Sequence, residues 1–380
     1  MKNRIARVLA LVASGVIVGA LVPVAYAGAS ASSHVKKSER LVVKHIDWAN
    51  ITDAGTLQVN IQDGIAFAAK KLDIKLTLFD NTATATKALQ NAHLMTTNGA
   101  TVAADFNITI KANKSIGSVF HAAKIPCIGV DIEVPGCVWY QLNNPGSGLT
   151  AGKEAAGIVK KKGWTGHDTT VLGLTTWSTG PFVNGIVTGF YQTFASTMGG
   201  MVQKRWTAFS PSVTKLGTSF IDVNCGLLPS TCQSAVAATL ASVPSTRKLM
   251  VVGLNDTVVY AGLQAVNAAG RNANAAGVGL GTKTSIKYLR TDPQWILEDD
   301  IFYRGWGEYL VAIADGLMKG VKPKGNIAEI PSLVISKKQV DKYYGRTGTT
   351  PKLLPAISPK DKYLLKLGIL QKFHNILGVK

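Results

Sequence analysis

The segment LMVVGLNDTVVYAGLQAVNAAGR at 249–271 places two short polar residues where an apolar strand turns into a helical pattern. Asn255 and Asp256 could cap the helix, because such side chains accept hydrogen bonds from its first backbone N–H groups. They could also form the floor of a binding site, since ligands of open α/β sheets lie beyond the carboxyl ends of the strands. The other strand ends help to distinguish the two interpretations.

Carboxylates and amides beside aromatic residues recur at the predicted strand ends, in HIDWAN, ADFN, GVD, TTWSTG and LEDDIFY. Such polar groups supply donors and acceptors for hydroxyls, and flat rings cover the apolar C–H faces of a sugar ring. Individually, these residues could be caps, turns or core, but together they predict a sugar- or polyol-binding site. The candidate ligand-binding residues are Asp47, Trp48, Asn50, Asp105, Phe106, Asn107, Asp131, Trp177, Asn184, Asn255, Asp256 and Asp299.

Sequence motifs of catalysis and of cofactor binding give little support to an enzyme. GVGLG at 277–281 departs from the GxGxxG pattern of dinucleotide-binding loops, and the sequence has no P-loop and no HExxH pair. A GxSxG nucleophile motif is also missing. Asp299 and Asp300 suggest a glycosidase pair, but neighbours on a strand point to opposite faces. We therefore expect no catalytic residue, no cofactor and no metal site.

Alternating strands and helices must position these residues. Strands are predicted at 41–46, 74–79, 100–104, 125–132, 170–174, 201–208, 249–254, 275–282 and 296–302. Helices are predicted at 57–72, 83–95, 110–123, 148–162, 181–197, 234–241, after Asp256 and at 305–319. This order predicts an α/β protein with two doubly wound parallel-sheet lobes.

The pattern restarts after a stretch near 130–144 that is rich in Pro, Gly and Asn, and this restart divides the chain. We expect an N-terminal lobe at 40–135, with about 283–320 crossing back to it, and a C-terminal lobe at 136–282. A final hinge crossing and lobe end are expected at 321–350. A Pro-rich linker and a basic amphipathic helix at 360–377 follow. The helix is expected to pack on the body, with membrane contact as the alternative.

The first 27 residues have the composition of an export signal. Lys2, Arg4 and Arg7 precede the uncharged apolar run 9–24, and AYA at 25–27 is a small-x-small cleavage sequence. An uncleaved membrane anchor is the alternative, but the apolar run is short for a membrane span. We expect cleavage and a periplasmic or extracellular location.

Export would place the four cysteines in an oxidising compartment. Each pair that is close in sequence encloses a Pro or Gly turn, and short loops close at low entropic cost. We predict the bridges Cys127–Cys137 and Cys225–Cys232, although four cysteines allow three pairings and unpaired thiols are the alternative. Zinc binding is disfavoured because the spacings differ and no histidine is adjacent.

Composition and charge narrow the class of protein. The 380 residues are 46% hydrophobic and 17% charged, which is typical of a globular chain with two domains. The formal net charge of +19 suits contact with anionic lipid or cell wall, or is simply a basic surface. Export and the lack of aromatic–basic motifs argue against a nucleic-acid partner.

The signal sequence, the two halves and GLNDTVVYAGLQAVNAAGR together resemble the type I periplasmic binding proteins, the ribose- and galactose-binding-like group that serves ABC sugar importers. The likeness is good over 249–271 and weaker over about 41–344. It implies two lobes that close on a small-molecule ligand about a hinge, and delivery of that ligand to a membrane permease. We expect a monomeric binding protein and no enzymatic activity.

Two departures from the family concern the ligand. Where the family has Gly-x-Asp after the helix, this chain has GVGLGTKT, with Gly281 in the place of the acid. An Arg that the family often carries in the second half is also missing, and Asn184 lies near that place. These changes favour a neutral polyol over ribose, galactose, a sugar acid or a phosphate. The alternatives are a sensory protein that feeds a chemoreceptor or kinase, and binding of a non-sugar small molecule.

Overall fold

Two sheets built mainly of parallel strands form the framework of the protein. The structure, a computed structural model, describes residues 43–54, 56–226, 228–281, 284–373 and 375–379. The predicted signal peptide at 1–27 lies outside these residues. Within the described ranges, no helix has the length and apolar character that a membrane span requires.

Strands and helices alternate along most of the chain. The strands are β1 His45–Asn50, β2 Lys75–Asp80, β3 Val102–Asp105, β4 Cys127–Val130, β5 Val138–Gln141, β6 Thr169–Thr175, β7 Lys215–Leu216, β8 Phe220–Asn224, β9 Lys248–Gly253, β10 Ala275–Leu280, β11 Trp295–Asp300, β12 Ile327–Glu329, β13 Leu333–Ser336, β14 Leu353–Leu354 and β15 Asn375–Ile376. The helices are α1 Thr56–Lys71, α2 Ala85–Thr97, α3 Ile110–Ala122, α4 Asn144–Lys161, α5 Gly180–Val183, α6 Gly185–Met198, α7 Pro229–Leu240, α8 Asp256–Ala268, α9 Ser285–Thr291, α10 Tyr303–Met318, α11 Val340–Tyr344 and α12 Lys362–Lys366.

The first sheet has the strand order β12–β5–β4–β3–β1–β2, and every neighbouring pair is parallel. The second sheet has the order β13–β11–β10–β9–β6–β8–β7, with only its edge strands β13 and β7 antiparallel. We call each sheet with the helices that cover it a lobe. The predicted α/β class with two parallel-sheet lobes is confirmed.

Helices cover both faces of the first sheet. Ala49 and Ala103 join an apolar cluster with residues of α2 and α3, whereas Trp48 and Ala104 belong to the main core with α1 and α10. Successive side chains of a strand point to opposite faces, so these neighbours separate the two layers. In the second lobe α4 packs against α6, and α7 packs against α8.

Glycines allow a close helix pair in each lobe. A Cβ atom on Gly152 of α4 would stand 2.1 Å from the carbonyl oxygen of Phe190 on α6. In the first lobe a Cβ atom on Gly307 of α10 would stand 2.2 Å from the backbone nitrogen of Ile65 on α1. Carbon atoms do not approach polar atoms this closely, so only glycine fits at these two contacts.

The chain passes between the lobes at places that correct two predicted boundaries. β5 at 138–141 still pairs within the first sheet, so the first lobe extends beyond residue 135. β11 at 295–300 pairs within the second sheet, and the chain returns only with α10, which packs on α1. The predicted return near residue 283 was therefore too early. The link from β12 to β13 lies within the predicted crossing at 321–350.

The predicted strand at 201–208 was wrong, because residues 201–214 contain no strand. Gly199 and Gly200 both have positive φ, so the chain turns sharply after α6. The N–H of Val202 donates to the Ser219 hydroxyl at 3.0 Å rather than to a neighbouring strand. β8 takes the place next to β6 instead.

The linker and single helix predicted for 351–377 were also wrong. β14 pairs with β15, and α-helix is limited to 362–366 in this segment. Gly368 has a φ of +64°, which is not helical. Leu364 and Leu370 are buried in the main core, so this apolar face packs on the body, as the sequence predicted, and is not available to a membrane.

Both predicted disulfides are present. Cys127 at the start of β4 is bonded to Cys137 just before β5, with an S–S distance of 2.00 Å. Cys225, which follows β8, is bonded to Cys232 in α7, with an S–S distance of 2.05 Å. Each bridge therefore closes a short loop between consecutive elements of one lobe.

Candidate ligand-binding cleft

A cleft of about 430 Å³ is lined by residues that follow the strands of both sheets. Its apolar lining consists of Ile51, Ala54, Leu57, Ala83, Phe106, Ile108, Ile132, Leu142, Val183, Leu228, Pro229, Leu254, Leu280 and Trp306. Its polar lining consists of Thr52, Gln58, Asp131, Asn144, Thr176, Thr179, Asn255 and Thr257, and Gly226 completes it. This position agrees with the rule that places ligands at the carboxyl ends of parallel strands.

Asp131 is the one ionisable side chain that lines the cleft among the described residues. Its φ of +58° is a left-handed conformation that Asp tolerates better than most residues. Asn144 donates through Nδ2 to Asp131 Oδ1 at 3.1 Å. Burial raises the pKa of Asp131 to about 6, and the Asn144 hydrogen bond opposes this rise. The described lining thus offers one weak acid and no cation.

Two aromatic rings lie side by side on the first-lobe wall. The ring centroids of Phe106 and Trp306 are 5.5 Å apart, and both residues line the cleft. The predicted contact Trp48 lies behind them, fully buried, with its ring centroid 6.3 Å from Phe106. Trp306 Nε1 has no hydrogen-bond partner in the part of the chain that the structure describes.

Asn255 caps α8 and also lines the cleft. Its Oδ1 accepts a hydrogen bond from the N–H of Val258 at 3.1 Å, and its backbone is extended. The two interpretations of the Asn-Asp pair are therefore compatible at Asn255, because a cap occupies only the side-chain oxygen. The Nδ2 group of Asn255 is left as a donor for a ligand.

Four predicted site residues hold the loops that line the cleft without lining it themselves: Asn50, Asp105, Asn107 and Asn184. Asn50 donates through Nδ2 to the carbonyl of Gln58 at 3.2 Å and so ties the loop between β1 and α1. Asn184 accepts from the N–H of Thr176 at 2.9 Å and donates to its carbonyl at 2.8 Å. The conformation at Thr176 is fixed by both bonds.

Asp105 is the centre of a set of buried hydrogen bonds that we call the amide network. Its carboxylate accepts from Nδ2 of Asn81 at 3.0 Å and from Nδ2 of Asn107 at 2.7 Å. Asn107 also donates to Asn113, which donates to the carbonyl of Glu133 at 2.6 Å. Burial raises the pKa of Asp105 to about 6, while the two amides act to lower it. The network supports the loops around Phe106 and after β4.

The remaining predicted residues lie away from the cleft lining. Asp47 is buried inside β1, where it accepts from Asn98 at 3.0 Å. Trp177 is 41% exposed and donates through Nε1 to Asp222 at 2.9 Å. Asp256 and Asp299 are buried in the second lobe. Burial, and then the neighbouring Asp256 carboxyl, raise the pKa of Glu298 well above its usual range.

Several lining residues were missed by the sequence interpretation, namely Asn144, Thr176, Thr179, Thr257 and Trp306. Trp306 lies in the first turn of α10, the helix that carries the chain back to the first lobe. The signal for it was the sequence FYRGWGEYL just after β11, the last parallel strand of the second sheet. Thr176 directly follows β6, and Asn144 directly follows the first crossing.

No protein-family model and no curated protein matches the chain. Solved structures do match it. An ABC transporter solute-binding protein from Mycobacterium smegmatis with bound glycerol is 16% identical, with a TM-score of 0.64, over 80% of this chain and 98% of that chain. An ABC transporter solute-binding protein from Bacillus halodurans with bound myo-inositol is 15% identical, with a TM-score of 0.63, over 79% of this chain and 97% of that chain.

A third neighbour is an ABC transporter periplasmic solute-binding protein from Actinobacillus succinogenes with bound D-allose. It is 14% identical, with a TM-score of 0.62, over 79% of this chain and all of that chain. At such identities the likeness shows a shared fold. The resemblance to the fold of type I periplasmic binding proteins, predicted from the sequence, is thereby confirmed.

Proposed function

We propose that this protein is the extracytoplasmic solute-binding component of an ABC importer, and that it captures a sugar or sugar-like polyol. The observation that carries the proposal is one cleft lined by residues after the strands of both lobes, with chain crossings beside it. The neighbours with bound D-allose, myo-inositol and glycerol support the ligand class. Two disulfides support an oxidising compartment.

Capture would proceed by closure of the lobes. Phe106, Asp131 and Trp306 belong to the first-lobe side, while Thr176 and Asn255 belong to the second. A ligand between them makes its full set of contacts only when the lobes are closed, so it shifts the population toward the closed form. The three crossings of the described chain, at 142–143, 301–302 and 330–332, absorb the movement. A membrane permease then recognises the closed form and receives the solute.

The polar groups of the lining match hydroxyls. Asp131 offers carboxylate oxygens, Asn255 offers Nδ2, and Asn144 offers Oδ1. The rings of Phe106 and Trp306 can cover the C–H face of a sugar or cyclitol. Nothing in this set requires the solute to change chemically, and the role proposed here is binding.

The test is a calorimetric titration of residues 28–380, produced with oxidised disulfides, against neutral sugars, polyols, sugar acids, amino acids and nucleosides. We expect binding of a neutral sugar or polyol by a monomer. Asp131→Asn keeps the shape and the left-handed backbone but removes the charge, so the affinity should fall about tenfold or more. Asp80→Asn is the control, since Asp80 ends β2 but lies outside the lining.

Binding of only an amino acid or nucleoside would keep the fold and contradict the solute class. Equal affinity of the Asp131→Asn and unaltered proteins would contradict the cleft as the site. If no compound of the panel bound while a glycoside was hydrolysed, the binding-protein proposal would be wrong.

A further inference from the structure

The cleft is more apolar than a site for a fully hydroxylated solute requires. Both lobes contribute branched aliphatic side chains, such as Ile51 and Ile132 from the first and Val183 and Leu254 from the second. No Lys, Arg or His lines it among the described residues. Moving apolar surface out of water and against other apolar surface is favourable. This lining therefore favours a solute with an apolar portion.

Much of the polar lining is already engaged within the protein. Thr176 donates its hydroxyl to the carbonyl of Gly226 at 2.5 Å, and Thr179 donates to the carbonyl of Thr176 at 2.8 Å. Asn255 uses its side-chain oxygen as the α8 cap. If a sugar with a hydroxyl on nearly every carbon were bound here, some of its hydroxyls would find no hydrogen-bond partner. Burying a polar group without a partner is costly.

The one carboxylate of the described lining and the amide that binds it lie together at one position along the sheets, beside apolar residues such as Ile132 and Leu142. The crossings join β5 and β12 at one edge of the first sheet to elements of the second lobe, and β11 and β13 lie at the corresponding edge of the second sheet. Asp131 and Asn144 lie close to this hinge edge, after β4 and at the first crossing. Residues after β2 and β8 lie toward the opposite, outer edge of the sheets.

The outer edge of the cleft is mainly apolar. Ala83 follows β2 and Ile51 follows β1, accompanied by Thr52. Opposite them in the lining, Leu228 and Pro229 come from the loop closed by the Cys225–Cys232 bridge. Leu228 is 62% exposed, a large apolar side chain held in an open cleft wall. A covalently closed loop that presents an exposed leucine is suited to contact an apolar group of a ligand.

We propose that the solute is an uncharged amphipathic glycoside, meaning a sugar or cyclitol that carries an alkyl or aryl substituent. The hydroxylated ring lies at the hinge edge, with Asp131 and Asn144, and the substituent lies at the outer edge against Leu228. This inference rests on the proposed function and narrows its solute class.

Matched ligand pairs test this inference. Calorimetric titrations of residues 28–380 would compare D-glucose, D-galactose and D-ribose with their hexyl and phenyl β-glycosides. For at least one sugar, the glycoside should bind at least about tenfold more tightly than the free sugar. Its heat-capacity change on binding should also be more negative, which is the mark of buried apolar surface.

The Leu228→Ser variant tests whether the substituent of the glycoside contacts Leu228. It should remove most of the glycoside's gain in affinity over the free sugar and leave the affinity for the free sugar unchanged. Leu94→Ser on α2 is the matched control, because Leu94 is 51% exposed and lies outside the cleft lining; it should bind both ligands as the unaltered protein does. Both leucines are exposed, so neither change threatens folding.

The outcomes separate the two proposals. Equal affinities for a free sugar and its glycosides would overturn this inference and leave the proposed function intact. A glycoside advantage that persists in Leu228→Ser would contradict the placement at the outer edge. If neither the free sugars nor the glycosides bind, the inference is wrong, and the proposed function fails too when the wider panel of sugars and polyols also gives no binding.

Discussion

The two walls of the cleft are both largely apolar but are held by different means. On the first-lobe wall, the amide network links β2, β3, α3 and the loop after β4 through side chains that are far apart in sequence. On the second-lobe wall, most fastenings are local, although the bond from the Thr176 hydroxyl to the Gly226 carbonyl joins two loops. Asn184 holds Thr176, Asn255 caps α8, and a disulfide closes 225–232.

This difference determines how substitutions in each wall should affect stability and the shape of the cleft. A network shares its hydrogen bonds among several buried groups, so the loss of one member leaves others without partners. A local fastening can be lost alone, because the elements around it keep their own contacts. Substitutions in the first wall should therefore cost more stability, and substitutions in the second should change the cleft more selectively.

The largest effect is expected at the centre of the amide network. Asp105→Ala would leave one buried N–H of Asn81 and one of Asn107 without an acceptor, and should lower the free energy of unfolding by about 3 kcal/mol. Chemical denaturation measures this change. Asp63→Ala, which removes an exposed carboxylate of α1, is the control and should cost less than about 0.5 kcal/mol. Similar costs for both variants would show that the network does not stabilise this wall.

Opening the disulfide of the second wall should have the next largest effect. Replacing Cys225 and Cys232 together by Ser frees a short loop in the unfolded chain and should cost about 2–3 kcal/mol. Because the loop presents Leu228, solute affinity should fall as well. The same double change at Cys127 and Cys137 should cost similar stability but weaken binding of the free sugar as well, since the loop closed by that bridge presents Asp131 and Ile132 to the cleft. Unchanged affinity in the variant without the Cys225–Cys232 bridge would contradict the role of this loop in the second wall.

The protonation of Asp105 should make the first wall sensitive to pH. Burial raises its folded pKa to about 6 from an ordinary value of 3.8, so between these values the folded chain keeps a proton that the unfolded chain has released. Its stabilising contribution is full below pH 3.8 and is lost as the pH rises through about 6. Between pH 4 and pH 7 the free energy of unfolding should fall by about 2 kcal/mol more in the unaltered protein than in the Asp105→Asn variant.

Urea unfolding of both proteins at the two pH values measures this difference. Asp131 and Asp299 also have pKa values raised to about 6, and their contribution is common to both proteins and cancels. The same pH dependence in Asp105→Asn would show that Asp105 does not titrate in this range.

The smallest effect compares one helix cap from each lobe. Asn255→Ala and Thr84→Ala each remove a side chain that accepts from the third backbone N–H of a helix, and each should cost about 1 kcal/mol. Only Asn255→Ala should also weaken solute binding, because Asn255 lines the cleft and Thr84 does not. Thermal unfolding measures the stability of the two variants, and calorimetry measures their affinity for the solute. Equal solute affinities in the two variants would show that Asn255 acts only as a helix cap.

The sequence was sufficient to predict the layered α/β fold, because strands and helices alternate with clear hydrophobic periods. The sequence was less reliable for the exact ends of the strands. The first strand was expected at 41–46 but β1 runs from His45 to Asn50. This shift moved Asp47 and Trp48 from the strand end into the buried strand, and the residue that follows the strand became Ile51. Single-sequence patterns do not define strand ends this closely.

Side-chain roles at the strand ends were harder to predict than the fold. Asn and Asp look the same in a sequence whether they face a ligand or satisfy one another, as Asp105 and Asn107 do. Only the packed structure decides which amides are used internally. Trp306 was missed for a different reason, since its position in the cleft depends on α10 returning to the first lobe.

The strand order has a consequence for the time at which each lobe can fold. The first sheet takes its edge strand β12 from residues 327–329, whereas β6 to β11 of the second sheet lie within 169–300. The second sheet also takes its edge strand β13 from residues 333–336. During synthesis, both sheets are therefore completed late, and β5 gains its outer neighbour β12 only when most of the chain has left the ribosome. This order delays the completion of both lobes, which would suit the unfolded export that the proposed extracytoplasmic role requires.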